Sequence, residues 1–153
     1  VVTNGDQTDT ICEGFAEGRS FDDSLRTREF EPDGPNYTPR ISGLVTVKEG
    51  KCCYKLSILK SGEGDPSQCR RFFFDYMPAL PGQGHFVSTY VQDGDPLPSF
   101  EGEPIQIEVP DDIAVFADEI WESLNPDNKV SLFVRGIEIA TGATETYILN
   151  VHS

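Results

Sequence analysis

An α+β fold built on antiparallel sheets is what this sequence predicts. Extended, β-rich runs outnumber helical ones, Pro and Gly clusters suited to tight turns separate those runs, and only two helical stretches occur, spaced well apart. Helices placed in that way cover faces of sheets rather than alternating with strands one for one. The 153 residues are 37% apolar and include ten Phe and five Tyr, enough to fill the core of one domain. With no repeat, low-complexity tract or long linker, residues 1–153 read as a single domain.

Each element has a local chemical cause. The opening "VV" reads as the tail of a strand already under way, so a preceding segment is expected. In "NGDQTD", Asn-Gly suits a tight turn and Asp9 is placed to cap a loosely helical segment with Ile11, Phe15, Phe21 and Leu25, interrupted by "EGRS". Ser20 ahead of Asp22 and Asp23 predicts a helix over Phe21 to Phe30, because a serine oxygen accepts from free backbone N–H groups and acids suit the helix N-terminus. Pro32, Pro35 and Pro39 then forbid helix. "RISGLVTVKEGKCCYKLSILKSG" carries two β-rich runs around "KEGK", a hairpin signature, and "CRRFFFDYM", "HFVSTYVQDG" and "IQIEVP" are three further strands. The second helix lies in "PDDIAVFADEIWESLNPDNK", started by Pro110 and Asp111, spaced by Ile113, Phe116, Ile120 and Leu124, and ended by Pro126. A last hairpin turns at "ATGAT".

Charge narrows function. Twelve Lys and Arg against twenty-six Asp and Glu give a formal net charge of −14, which repels polyanions and anionic lipid, so nucleic acid and membrane are not expected as partners. Small anions remain admissible, since Arg26, Arg28 and Arg40, and separately Arg70 and Arg71, gather cations locally. Cys12, Cys52, Cys53 and Cys69 lack metal-ligand or redox spacing and read as thiols; with no apolar run long enough to span a bilayer and no secretory leader, the expected compartment is the cytoplasm.

Three constellations carry chemistry, each beside a plainer reading. The "NGDQTD" turn is either structural or a set of donors (the Asn4 amide, the Gly5 turn, the Thr8 hydroxyl) with Asp9 as acceptor for an anionic or carboxamide ligand. "REFEPDGPNYTPRIS" is either a solvated loop or a proline-braced wall on which Glu31 and Asp33 serve proton transfer and Arg40 clamps a ligand. In "GQGHFVSTY", His85 reads as a structural histidine, Ser88 and Tyr90 share one face of a strand, and Tyr90 either packs or donates to an oxyanion. No metal, calcium or phosphate-loop pattern is present.

Together "VVTNGDQTD", "REFEPDGPNYTPRIS" and "GHFVSTY" resemble the archaeal-type IMP cyclohydrolase family, closest to its bacterial branch, along nearly the whole chain. The resemblance implies a four-layer αββα sandwich of antiparallel sheets, similar to the N-terminal-nucleophile hydrolases, and ring closure of formamidoimidazole carboxamide ribotide to inosine monophosphate without cofactor or metal. Carried over, it makes Glu31, Asp33 and Tyr90 the catalytic candidates and Asn4, Gly5, Thr8, Asp9, Thr38 and Arg40 the substrate-binding ones. Two departures stand out: Val1 offers no side-chain nucleophile for self-processing chemistry, and the chain matches the C-terminal two-thirds of the family's length. Association with the preceding segment, or a homo-oligomer, would cover the exposed sheet edge. Two other readings stay open, the same fold acting on another amide or nucleotide, and a nucleotide-binding module without turnover.

Overall fold

The computed structural model describes residues 1–152. A short strand β1 (Val2–Thr3) leads into helices α1 (Gln7–Ala16) and α2 (Phe21–Leu25), followed by three long strands, β2 (Arg40–Lys48), β3 (Lys51–Gly62) and β4 (Asp65–Tyr76). These strands form one antiparallel sheet in the order β1-β2-β3-β4. Beyond it, β5 (Gln83–Phe86) pairs with β6 (Ile105–Glu108), and after α3 (Ile113–Ser123) β7 (Ser131–Ile137) pairs with β8 (Thr144–Asn150). The fold is therefore mixed α and β with antiparallel sheets and few helices, and the strands after β4 form two separate two-stranded ribbons rather than one second large sheet.

The "KEGK" turn sets the register of the main sheet. Lys48 pairs with Lys51, and the two residues between them, Glu49 and Gly50, have φ of 52° and 70°, the left-handed backbone that gives a two-residue turn the twist of its strands. That register aligns Arg40 with Leu59 and Arg71, Ser42 with Ser57 and Phe73, and Leu44 with Lys55 and Asp75, so these nine side chains share one face. Helices α1 and α2 lie on that face: Ile11, Phe21 and Leu25 pack with Leu59 into a dry cluster, bordered by Leu44, Cys69 and Phe73. Burying each such side chain stabilises by roughly 1.5–3 kcal/mol. On the opposite face Tyr54 and Tyr76 stack with centroids 4.7 Å apart, and His85 of β5 lies 3.8 Å over Tyr76 with Nδ1 2.6 Å from the Tyr54 hydroxyl. His85 thus has the structural place expected of it, tying the β5–β6 ribbon to the sheet.

Four local expectations need correction. The residue capping α1 is Asp6, not Asp9, and no side-chain cap bond forms there. Ser20 does cap α2, accepting from Asp23 N at 3.1 Å, but the helix ends at Leu25 instead of Phe30. Past Leu25 the chain tightens: Thr27 N and Arg28 N donate three residues back to Ser24 O and Leu25 O, Thr27 Oγ1 donates to Ser24 O at 2.7 Å, and Arg71 of β4 donates twice to Arg28 O, at 3.1 and 2.9 Å. The start of α3 is fixed by Asp112, whose Oδ1 accepts from Ala114 N and Val115 N. Finally, the run "HFVSTYVQDG" leaves the sheet after Phe86; Ser88 Oγ turns onto Tyr90 O at 2.8 Å and Tyr90 makes a single bridge to Ser99, so Ser88 and Tyr90 do not share a strand face.

Candidate functional site

The β1–α1 turn and the corner that enters β2 are bound directly to each other. Asn4 extends the ladder with its side chain: Nδ2 donates to Pro39 O at 2.9 Å, while Oδ1 accepts from Ile41 N and from Gln7 Nε2, each at 3.0 Å. A longer contact of 3.4 Å joins Nδ2 to Thr89 Oγ1. Gln7 is wholly buried, and besides Asn4 its amide nitrogen reaches Ile41 O at 3.1 Å and Ser42 Oγ at 3.4 Å. Its oxygen accepts from Arg40 at 2.9 Å.

Arg40 is the hub. It faces the helices from the first position of β2, is 6% exposed, and sets its Nη1 against the carboxylates of Asp6 and Glu31, the latter at 2.7 Å. Arg28 shares the same Asp6 oxygen, producing an alternating chain Arg28–Asp6–Arg40–Glu31. The Asp6 carboxyl is held below its ordinary range, chiefly by the Arg28 hydrogen bond; burial pushes the other way, and the hydrogen bond and charge of Arg40 add to the lowering. Gly5 is what lets these groups close up: a Cβ at that position would lie 2.8 Å from Gln7 Oε1, 3.0 Å from Arg40 Nη1 and 3.1 Å from Glu31 Oε1. Arg40 Nε is buried without a partner, an uncompensated cost at the centre of the cluster.

A second hydrogen-bonded chain branches from the same corner. Glu31 N donates to Thr38 O at 2.9 Å, closing the loop that carries Asp33. Asp33 accepts from Thr38 N at 2.7 Å through Oδ1 and from the Thr38 hydroxyl through Oδ2. Burial pushes the Asp33 carboxyl upward, but the hydrogen bonds from Thr38 outweigh it and leave the group below its ordinary value. The Thr38 hydroxyl also lies 2.6 Å from the Tyr90 hydroxyl.

Of the residues singled out in the sequence, Asn4, Gly5, Glu31 and Arg40 meet in the first cluster, and Asp33, Thr38 and Tyr90 in the second, with the corner over residues 31–40 common to both. Thr8 braces the turn, its hydroxyl against that of Thr3 and 3.4 Å from Gly5 O. Asp9 is exposed on the first turn of α1 and joins neither cluster. Asp6, Gln7 and Thr89 belong to the site without having been expected from the sequence. Gln7 could have been found, because it precedes Ile11 and Gly14 by four and seven residues and so lies on the buried stripe of α1. A cavity of about 270 Å³ adjoins Asn4, walled by Val2, Ile41, Gly43, Leu56 and Val87. Among the described residues no group of three His, Cys, Asp or Glu converges as metal ligands would, and no helix is long and apolar enough to cross a membrane.

A family model described as "IMP cyclohydrolase-like protein" fits residues 1–142. No curated protein and no solved structure matches the chain.

Proposed function

The chain belongs to the IMP cyclohydrolase-like family, and from that premise we propose that it closes the second ring of formamidoimidazole carboxamide ribotide, releasing water and inosine monophosphate, as a cytoplasmic enzyme of purine biosynthesis. The carboxamide nitrogen is a poor nucleophile that must reach the formyl carbon, so the protein has to hold the two arms together, take a proton and stabilise a tetrahedral oxyanion. One observation carries this reading: three separated segments, the 4–8 turn, the 31–40 corner and Tyr90, meet in one continuous hydrogen-bonded cluster. In it Glu31 is the leading proton-transfer group, one third exposed and steered by Arg40. Arg40, being buried and engaged on three sides, positions Glu31 instead of clamping the phosphate. Asn4, its amide engaged by Pro39, Thr89, Ile41 and Gln7, fixes the 4–8 turn against the 31–40 corner. The parent architecture on this reading is the two-sheet sandwich of the N-terminal-nucleophile hydrolases.

Ring closure followed by absorbance tests the proposal. Glu31→Gln is expected to lower kcat by roughly 100-fold or more, the usual reach of a positioned acid or base, while inosine monophosphate still binds. Unchanged turnover would remove Glu31 from the mechanism. Binding without turnover in the unaltered protein would favour a nucleotide-binding module, and neither binding nor turnover would point to another amide or nucleotide substrate.

A further inference from the structure

Resting on that reading, we infer that Thr38 is a proton relay between Tyr90 and Asp33, so that Tyr90 receives a proton from the substrate's carboxamide nitrogen instead of donating one to its formyl oxygen. The polarity of the chain comes from counting hydrogens. An ionised carboxylate only accepts, and both Asp33 oxygens take hydrogen bonds from Thr38, one from its N–H and one from its hydroxyl. A threonine hydroxyl has one proton, and that proton is committed to Asp33. The 2.6 Å contact between Thr38 Oγ1 and the Tyr90 oxygen can then be made only by the Tyr90 proton. Tyr90 is left presenting lone pairs to whatever binds beside it. The depressed titration of Asp33 keeps this polarity fixed across the neutral range.

The same arrangement provides a path. As the carboxamide nitrogen attacks, its N–H proton passes to the Tyr90 oxygen, the Tyr90 proton to Thr38 Oγ1, and the Thr38 proton to Asp33 Oδ2. The nitrogen's electron pair forms the new bond to the formyl carbon, and the pair of the C=O π bond moves onto oxygen to give the alkoxide. Asp33 is exposed and hands its proton to water, while Glu31 passes a solvent proton to the alkoxide to give the carbinol, so the step is proton-neutral and needs no co-reactant. Tyr90 is the catalytic group of this chain, and Thr38 and Asp33 act through it.

Two measurements test the relay. Thr38→Val keeps shape and the backbone N–H bond to Asp33 but removes the hydroxyl; it is expected to lower kcat by about 100-fold with KM within about threefold, and Thr38→Ser to restore kcat to within about threefold. The second needs no turnover: with 3-fluorotyrosine replacing the five tyrosines, the ¹⁹F line lost in Tyr90→Phe is followed on Asp33→Asn. It is expected to move when Thr38 is present and to stay put in a Thr38→Val background. A line that moves equally in both backgrounds, or in neither, overturns the relay whether or not the protein closes the ring. A coupled line with undiminished kcat in Thr38→Val overturns its part in catalysis. A coupled line in a protein that does not close the ring supports the relay and overturns only the substrate assignment.

Discussion

The chain up to Tyr76 and the chain beyond it are built differently. The first part supplies Ile11, Phe21, Leu25, Phe30, Ile58 and Leu59 to the buried interior, whereas among the described residues of the second the buried apolar side chains are Phe100, Pro104 and Ala117. The second part leaves Phe133 52% exposed and Ile148 61% exposed, paired opposite each other on the outer face of the β7–β8 ribbon. The lesson is about where precision comes from. Every group in the Arg40 cluster is carried by the densely packed part, and only Thr89 and Tyr90 arrive from the other, held by single hydrogen bonds to Asn4 and Thr38.

That contrast can be broken most directly in the core. Leu59→Ala is expected to cost about 2–5 kcal/mol in urea unfolding, since the site is closed on all sides and cannot collapse. Phe133→Ala should cost under about 1 kcal/mol, because half of the ring is already wet. Similar costs would erase the distinction between the two parts. A smaller separation is expected between arginines: Arg40→Ala strands Glu31 and the buried Gln7 oxygen, while Asp6 keeps Arg28, and should cost about 2–3 kcal/mol, a figure kept below that of a fully buried pair because Glu31 is partly exposed. Arg135→Ala on β7 loses a hydrogen bond to Thr146 and a contact over the Phe133 ring, worth roughly 0.5–1 kcal/mol by denaturant titration. Smallest and most even are the caps. Ser20→Ala and Asp112→Ala should each cost about 1 kcal/mol by thermal melting. A clear inequality between them would mean that the contrast extends to local structure as well as to packing.

Those caps also mark what could be read in advance. Ser20, the "KEGK" turn and the "ATGAT" hairpin act through their immediate neighbours, so they were legible from adjacent residues. Where a tertiary partner takes over a local signal, the reading failed. Asp6 caps α1 without a side-chain bond because Arg28 and Arg40 draw its carboxylate away, and the Arg28 carbonyl, three residues past the end of α2, is held by Arg71, forty-three positions along. The candidate site divides in the same way. The residues themselves stood out by type and spacing, but the direction of the Tyr90 hydrogen bond depends on Thr38 lying between it and Asp33, a fact of three-dimensional placement. Arg40 looked like a clamp because a guanidinium in a loop invites an anion; its place on the buried face of β2, opposite Leu59, is set by the register of the sheet.

The chain Arg28–Asp6–Arg40–Glu31 has a kinetic consequence. Two cations cancel two anions, so this part of the molecule exerts no local pull on a phosphorylated ligand, while the 26 acids against 12 bases of the whole chain push it away. For the phosphorylated substrate proposed above, encounter would therefore be uphill at long range, and adding salt, which shortens the reach of that repulsion to about 10 Å at 0.1 M, would speed association.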